Sequence, residues 1–125
     1  MFYSFNAEFA GMDCKYCFST DELDRVCLSV RKNDEKEQLM FDFSRKLHKM
    51  HEAAVLPDTV LVFENNRYAD EVYLRLRNAK IVKPQIMKTN LRGVAVAICG
   101  LADDFLMCRD GFTENMNAAG CIACA

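Results

Sequence analysis

Hydrophobic and polar positions change period several times along the chain, and each change predicts an element. Phe2, Phe5 and Phe9, with Tyr3 between them, predict a first strand rich in aromatic residues, which Gly11 and Asp13 break. Ser19-Thr20-Asp21-Glu22 reads as a helix start, with Ser19 as N-cap and Glu22 three positions on, a capping box. Leu23, Val26, Cys27 and Val30 then recur at helical spacing. The expected helix ends near Asn33, and Asn33-Asp34-Glu35 starts a second one. Its apolar stripe is Met40, Phe43, Leu47, Met50 and Ala54, at steps of three and four, and Pro57 stops it.

The second half reads differently. Thr59 to Phe63 is a continuous β-branched and apolar run, as expected of a central strand buried on both faces. Asn65-Asn66 turns the chain into a third helix. Asp70 and Glu71 lie in its first turn, Val72, Tyr73 and Leu76 on its apolar face, and Arg75 and Arg77 near its C-terminal end. Lys80 to Lys88 predicts a strand that Pro84 marks as an edge or bulged one. Thr89 to Gly93 is a turn, and Val94 to Cys99 is a second apolar strand closed by Gly100. Past Gly100, Asp103 caps a single turn with Phe105 and Leu106. Asp110-Gly111 reads as a turn, and Thr113 to Ala119 as a last short helix ended by Gly120.

These elements predict one globular domain over residues 1–125, α/β or α+β in class. The expected architecture is a sheet of about four strands covered by two to three helices. The unit from Val60 to Cys99 (strand, helix, strand, strand) resembles, in the order of its elements, half of a ferredoxin-like sandwich. That likeness is of fold and carries no function.

Composition narrows the class. Hydrophobic residues make up 51% of the chain and charged residues 27%, as in soluble globular proteins. No apolar run is long enough to span a bilayer, and the first residues lack the basic and apolar regions of a secretory signal. The expectation is a cytoplasmic protein without membrane contact. In that compartment seven cysteines read as thiols or metal ligands rather than structural disulfides. The net charge of −2 hides an uneven distribution. Residues 67–92 carry seven cations (Arg67, Arg75, Arg77, Lys80, Lys83, Lys88, Arg92) against Asp70 and Glu71. A basic stretch in an acidic chain suits an acidic partner or a polyanion.

Candidate chemistry centres on cysteine. Cys14 and Cys17 form one CxxC pair, Cys121 and Cys124 another. Two such pairs can complete a tetrahedral four-sulfur site for zinc, or hold an iron–sulfur cluster. Such a site would also tie down the chain's last residues. Alternatively, Cys14 and Cys17 act alone. A CxxC between a strand and a helix N-terminus favours the thiolate, with Cys14 attacking and Cys17 resolving a disulfide. Pro57, just before the strand at 59–63, is similar to the proline that faces the dithiol in thioredoxin-like proteins. His48 and His51 share one helical side and read as boundary residues. Arg67, Tyr68, Arg75, Arg77 and Lys80 mix cations with stacking rings and form the candidate partner surface, for another protein or for nucleic acid.

The sequence has no GxGxxG, Walker A, GxSxG, HExxH or EF-hand motif, so the expectation leans away from an enzyme. The leading expectation is a binding or regulatory protein that docks on another macromolecule, stabilised by a zinc on the two CxxC pairs. Thiol–disulfide exchange at Cys14 and Cys17 is the alternative. A metal-free interaction protein with incidental core cysteines is a third.

Overall fold

A computed structural model describes residues 1–45, 47 and 55–118, the last six as backbone only. The chain makes seven strands and two helices among these residues: β1 (Tyr3–Phe9), β2 (Met12–Thr20), β3 (Val26–Lys32), β4 (Leu39–Asp42), β5 (Val60–Glu64), α1 (Ala69–Asn78), β6 (Val82–Leu91), β7 (Val94–Leu101) and α2 (Asp103–Ala118). β1 to β4 form a four-stranded antiparallel meander, and β5, β7 and β6, in that order, form a three-stranded antiparallel sheet.

This overturns the expected single sheet covered by two to three helices, and with it the ferredoxin-like completion. The core is closed by a second sheet where helices were expected. The two helices read at 19–33 and from 33 onward are instead β2, β3, β4 and their turns as far as residue 45. The rest of the second helix falls largely on residues outside the description. The physical reason lies in the turns. Ala10 (φ 52) and Gly11 (φ 79) both have positive φ, as the two-residue turns that suit hairpins require. They fold β2 back on β1, so Met12–Thr20 is committed to a ladder with Cys14 paired to Ala7 and Phe18 to Tyr3.

Asp21 then organises the next turn. Its Oδ1 accepts hydrogen bonds from the backbone N–H of Leu23 and Arg25, and its Oδ2 accepts one from Arg25 Nε at 2.7 Å. The acid read as part of a helix start is the anchor of a hairpin. β3 then presents Val26, Leu28 and Val30 to the core at the period of a strand.

One apolar core collects Cys14, Tyr16 and Phe18 from β2, Leu28 and Val30 from β3, and Leu61 and Phe63 from β5. Val72 and Leu76 from α1, Ala97 and Cys99 from β7, and Phe105 from α2 complete it. Phe43 joins the two sheets: its N–H donates to Leu28 O, and its carbonyl accepts from Glu64 N. α1 is tied to both sheets. Arg75 Nε donates to Glu8 O on β1, and Asp70 pairs with Lys88 on β6.

β5 was expected to be central; β7 is, and β5 lies at the sheet's end beside Phe43. The expected turn at Asp110-Gly111 is inside α2, which begins at Asp103 and runs as one helix. Arg109, only 5% exposed, fastens that helix. Its guanidinium donates to the carbonyls of Asp58 and Asp24 and to the carboxylate of Asp110. No helix of the described residues is long and apolar enough to cross a membrane.

Candidate docking surface

The first candidate site comes apart on the strand geometry of β2. Side chains alternate across a strand, so positions three apart point to opposite faces with their Cα atoms about 10 Å apart. Cys14 faces the core with Tyr16 and Phe18, and its Sγ lies 3.9 Å from Phe9 O. Cys17 lies on the other face, opposite Ser4 of β1 and Ser29 of β3. From this paired strand the two sulfurs reach neither one metal ion nor each other, since a disulfide needs Cα atoms within about 7 Å. Cys121 and Cys124, like His48 and His51, lie outside the described residues.

The electrostatic setting expected for a reactive thiol is absent too. No helix begins after Cys17; β2 continues to Thr20. Burial pushes the Cys14 thiol above its ordinary value, and the carboxylates of Asp13 and Glu71 push it further. Burial also raises Cys17. Cys27 is raised to about 12 and Cys99 to about 11, both first by burial. These thiols are held in the neutral form, the reverse of an activated nucleophile. Of the five described cysteines, only Cys108 is exposed.

The second candidate is the basic stretch, and the structure divides it. Residues two apart on a helix point about 200° apart, so Arg75 and Arg77 leave α1 in different directions. Arg75 turns to β1, where it donates to Glu8 O at 3.1 Å and lies 3.5 Å from Glu71. Glu71 in turn accepts from Ala10 N, and Tyr16 Oη donates to the same Glu8 carbonyl at 2.9 Å. Burial in this network, first, and the Glu71 charge, second, push the Tyr16 hydroxyl well above its ordinary value. Arg75 thus fastens α1 to the first hairpin.

Tyr68 is also part of the frame. Its ring packs on Phe9 at 4.9 Å between centroids, and the Arg67 guanidinium sits 4.8 Å over it. Arg77 lies 5.9 Å over Tyr73 and donates to its hydroxyl. Both tyrosine rings already carry an arginine.

Six of the seven cations in residues 67–92 are exposed: Arg67, Arg77, Lys80, Lys83, Lys88 and Arg92. Lys88 Nζ rests on Asp70 at 2.8 Å, and Lys83 Nζ lies 3.7 Å from Asp103. Asp70 and Asp103 are each 87% exposed, so these are wet, weak pairs. Lys83 and Lys88 lie on β6, and Lys80 and Arg92 flank it; its residues Lys83, Pro84, Gln85, Met87, Lys88, Thr89 and Asn90 are all exposed.

Sequence reasoning counted all seven cations and expected a strand at 80–88, but drew the candidate surface from Arg67, Tyr68, Arg75, Arg77 and Lys80 and left out Lys83, Lys88 and Arg92. The signal was present: residues 82–93 hold Lys83, Lys88 and Arg92 and no acid. It also passed over Arg109, the one cation after Arg92. No family model, curated protein or solved structure matches the chain.

Proposed function

We propose that this protein is a non-enzymatic binding protein that docks on another macromolecule, a protein with an acidic surface, through residues 67–92. The exposure of six of that stretch's seven cations carries the reading. Two of them are held only by acids that water already reaches. An incoming carboxylate therefore replaces a weak partner and removes little existing stability.

Nucleic acid is the poorer partner for the same surface. Single strands bind by stacking bases on open rings. Here Arg67 covers Tyr68, and Arg77 covers Tyr73. Stabilisation by a zinc shared between Cys14 and Cys17 finds no support in their placement on opposite faces of β2. The same separation disfavours a disulfide between them. The reading is therefore the metal-free form, in which the described buried cysteines are packing residues.

The test is fluorescence anisotropy with labelled poly-glutamate and a labelled single-stranded oligonucleotide at several salt concentrations. Poly-glutamate is expected to bind more tightly, to weaken as salt rises, and to be lost in Arg77→Glu/Lys80→Glu. Tighter oligonucleotide binding would make the partner a nucleic acid. No binding of either would end the proposal. Zinc retained by protein purified without chelator, and lost in Cys14→Ser, would overturn the metal-free form.

A further inference from the structure

Strand β6 has β7 on one side and, among the described residues, no strand on the other. Apart from its ladder with β7, no backbone hydrogen bond between described residues involves positions 82–91. An open edge of ten residues is long. Proteins usually blunt such edges with proline, lysine or a bulge. In β6 those devices are concentrated in the first half: Lys83, Pro84 and the register irregularity between Val82 and Ile86. From Ile86 to Leu91 the strand runs in unbroken register against Cys99 to Val94. In that half Met87, Lys88, Thr89 and Asn90 are exposed, Met87 to 57%.

We infer that the free edge at Ile86–Leu91 takes an extended acidic segment of a partner protein by strand addition. This rests on the docking reading above and gives it a mode and a partner chemistry. Main-chain hydrogen bonds would supply affinity, and alternate side chains specificity. The register sets the alternation. Ile86 and Lys88 share the face of Cys99 and Ala97, on which α1 packs, so acids in the incoming strand meet Lys88 there. Met87 and Thr89 share the face of Ile98 and Val96, so apolar residues at the intervening positions extend that apolar surface over Met87. A second copy of this chain is the poorer occupant. Residues 82–93 contain three cations and no acid, so antiparallel self-pairing lays like charge on like.

The experiment uses the full chain and a dye-labelled peptide of alternating Glu and Val, read by anisotropy and by amide hydrogen exchange. Two further peptides are N-methylated on one or the other set of alternate amides. One set faces β6, and its loss is expected to weaken binding about tenfold, the other set having little effect. Exchange is expected to slow within 86–91, and Lys88→Glu to weaken the parent peptide about tenfold. If both methylated peptides bind like the parent, or exchange at 86–91 is unchanged, strand addition is wrong. Poly-glutamate binding without peptide binding would overturn this inference and leave the docking reading standing. Failure of both probes would remove both. A dimer in sedimentation, with protection at 86–91 and no peptide bound, would make the occupant a second copy and overturn the acidic partner.

Discussion

The four-stranded and three-stranded sheets share a core but treat their second faces differently. In β2, Cys14, Tyr16 and Phe18 point to the core while Lys15, Cys17 and Ser19 point away, beside Arg31, Ser29 and Cys27 of β3. In β5 and β7, both sets of alternate residues are apolar. Leu61, Phe63, Ala97 and Cys99 join the shared core. Val60, Val62, Val96 and Ile98 join a smaller cluster with Leu47 and Leu56. A strand whose second face is only partly covered tolerates polar residues at every second position; one with apolar clusters on both faces needs apolar residues throughout. The comparison explains where polarity is tolerated, and why the Cys14–Cys17 spacing means something different on β2 than it would in a loop.

Substitutions test that contrast, beginning with the shared core. Phe18 is fully buried and meets Phe105 at 5.0 Å and Phe5 at 6.1 Å between centroids. Phe18→Ala is expected to cost about 4 kcal/mol in a urea titration. A cost under about 1 kcal/mol would mean the four-stranded sheet does not pack on this core as described. Val96, on the second face of the three-stranded sheet, is also fully buried. Val96→Thr keeps the shape but buries a hydroxyl, and is expected to cost about 2 kcal/mol.

Arg109 probes the connection between the sheets, since it reaches both the turn before β3, at Asp24, and the segment before β5, at Asp58. Arg109→Met should lower stability by about 2 kcal/mol, because it strands two carbonyls while leaving Asp58 and Asp110 at the surface. Thermal melts of Arg109→Met and Arg109→Lys would show whether the forked guanidinium is needed; equal stability of Arg109→Lys and wild type would deny it.

Asp21 gives a pH-dependent test within the first sheet. Burial alone would raise its carboxyl, but the N–H groups of Arg25 and Leu23 and the Arg25 guanidinium together hold it below 3.8. A depressed folded value stabilises the protein above the unfolded value and loses that contribution as pH falls through the folded one. The stability gap between wild type and Asp21→Asn should therefore be constant above about pH 5 and shrink as pH drops below 3.8. A gap that widens on acidification would reverse the assignment. The smallest effect is expected for Ser29→Val on the polar face of the first sheet, within about 0.5 kcal/mol of wild type. A loss comparable with that of Val96→Thr would show that this face is as demanding as the second face of the other sheet.

Legibility in the sequence followed the same division. The strands at β1, β5, β6 and β7 and the helix α1 were marked by aromatic and β-branched runs, by Pro84, and by acids and arginines at the two ends of α1. The region from β2 to β4 was misread because Leu23, Val26, Cys27 and Val30 fit a helical period, while Val26, Leu28 and Val30 fit a strand equally well. The turn at Ala10-Gly11 decided between them, and a two-residue turn led by alanine is a faint signal beside Asn-Gly. The capping box of Ser19 and Glu22 was the decoy, since Asp21 within it anchors a hairpin turn instead.

By itself, the sequence determined the apolar content of the core, the kind of strand at β5 and β7, the amphipathic helix α1 and the concentration of cations in residues 67–92, because each is set by local pattern and composition. Only the tertiary structure decided which faces those patterns meet. Pairing of β2 between β1 and β3 sent Cys14 and Cys17 to opposite sides. Packing of α1 between β1 and β6 turned Arg75 inward and left Lys83 and Lys88 on a strand whose outer edge no described strand pairs. Strand pairing is non-local, and a strand's side-chain faces are assigned only when its partners are in place.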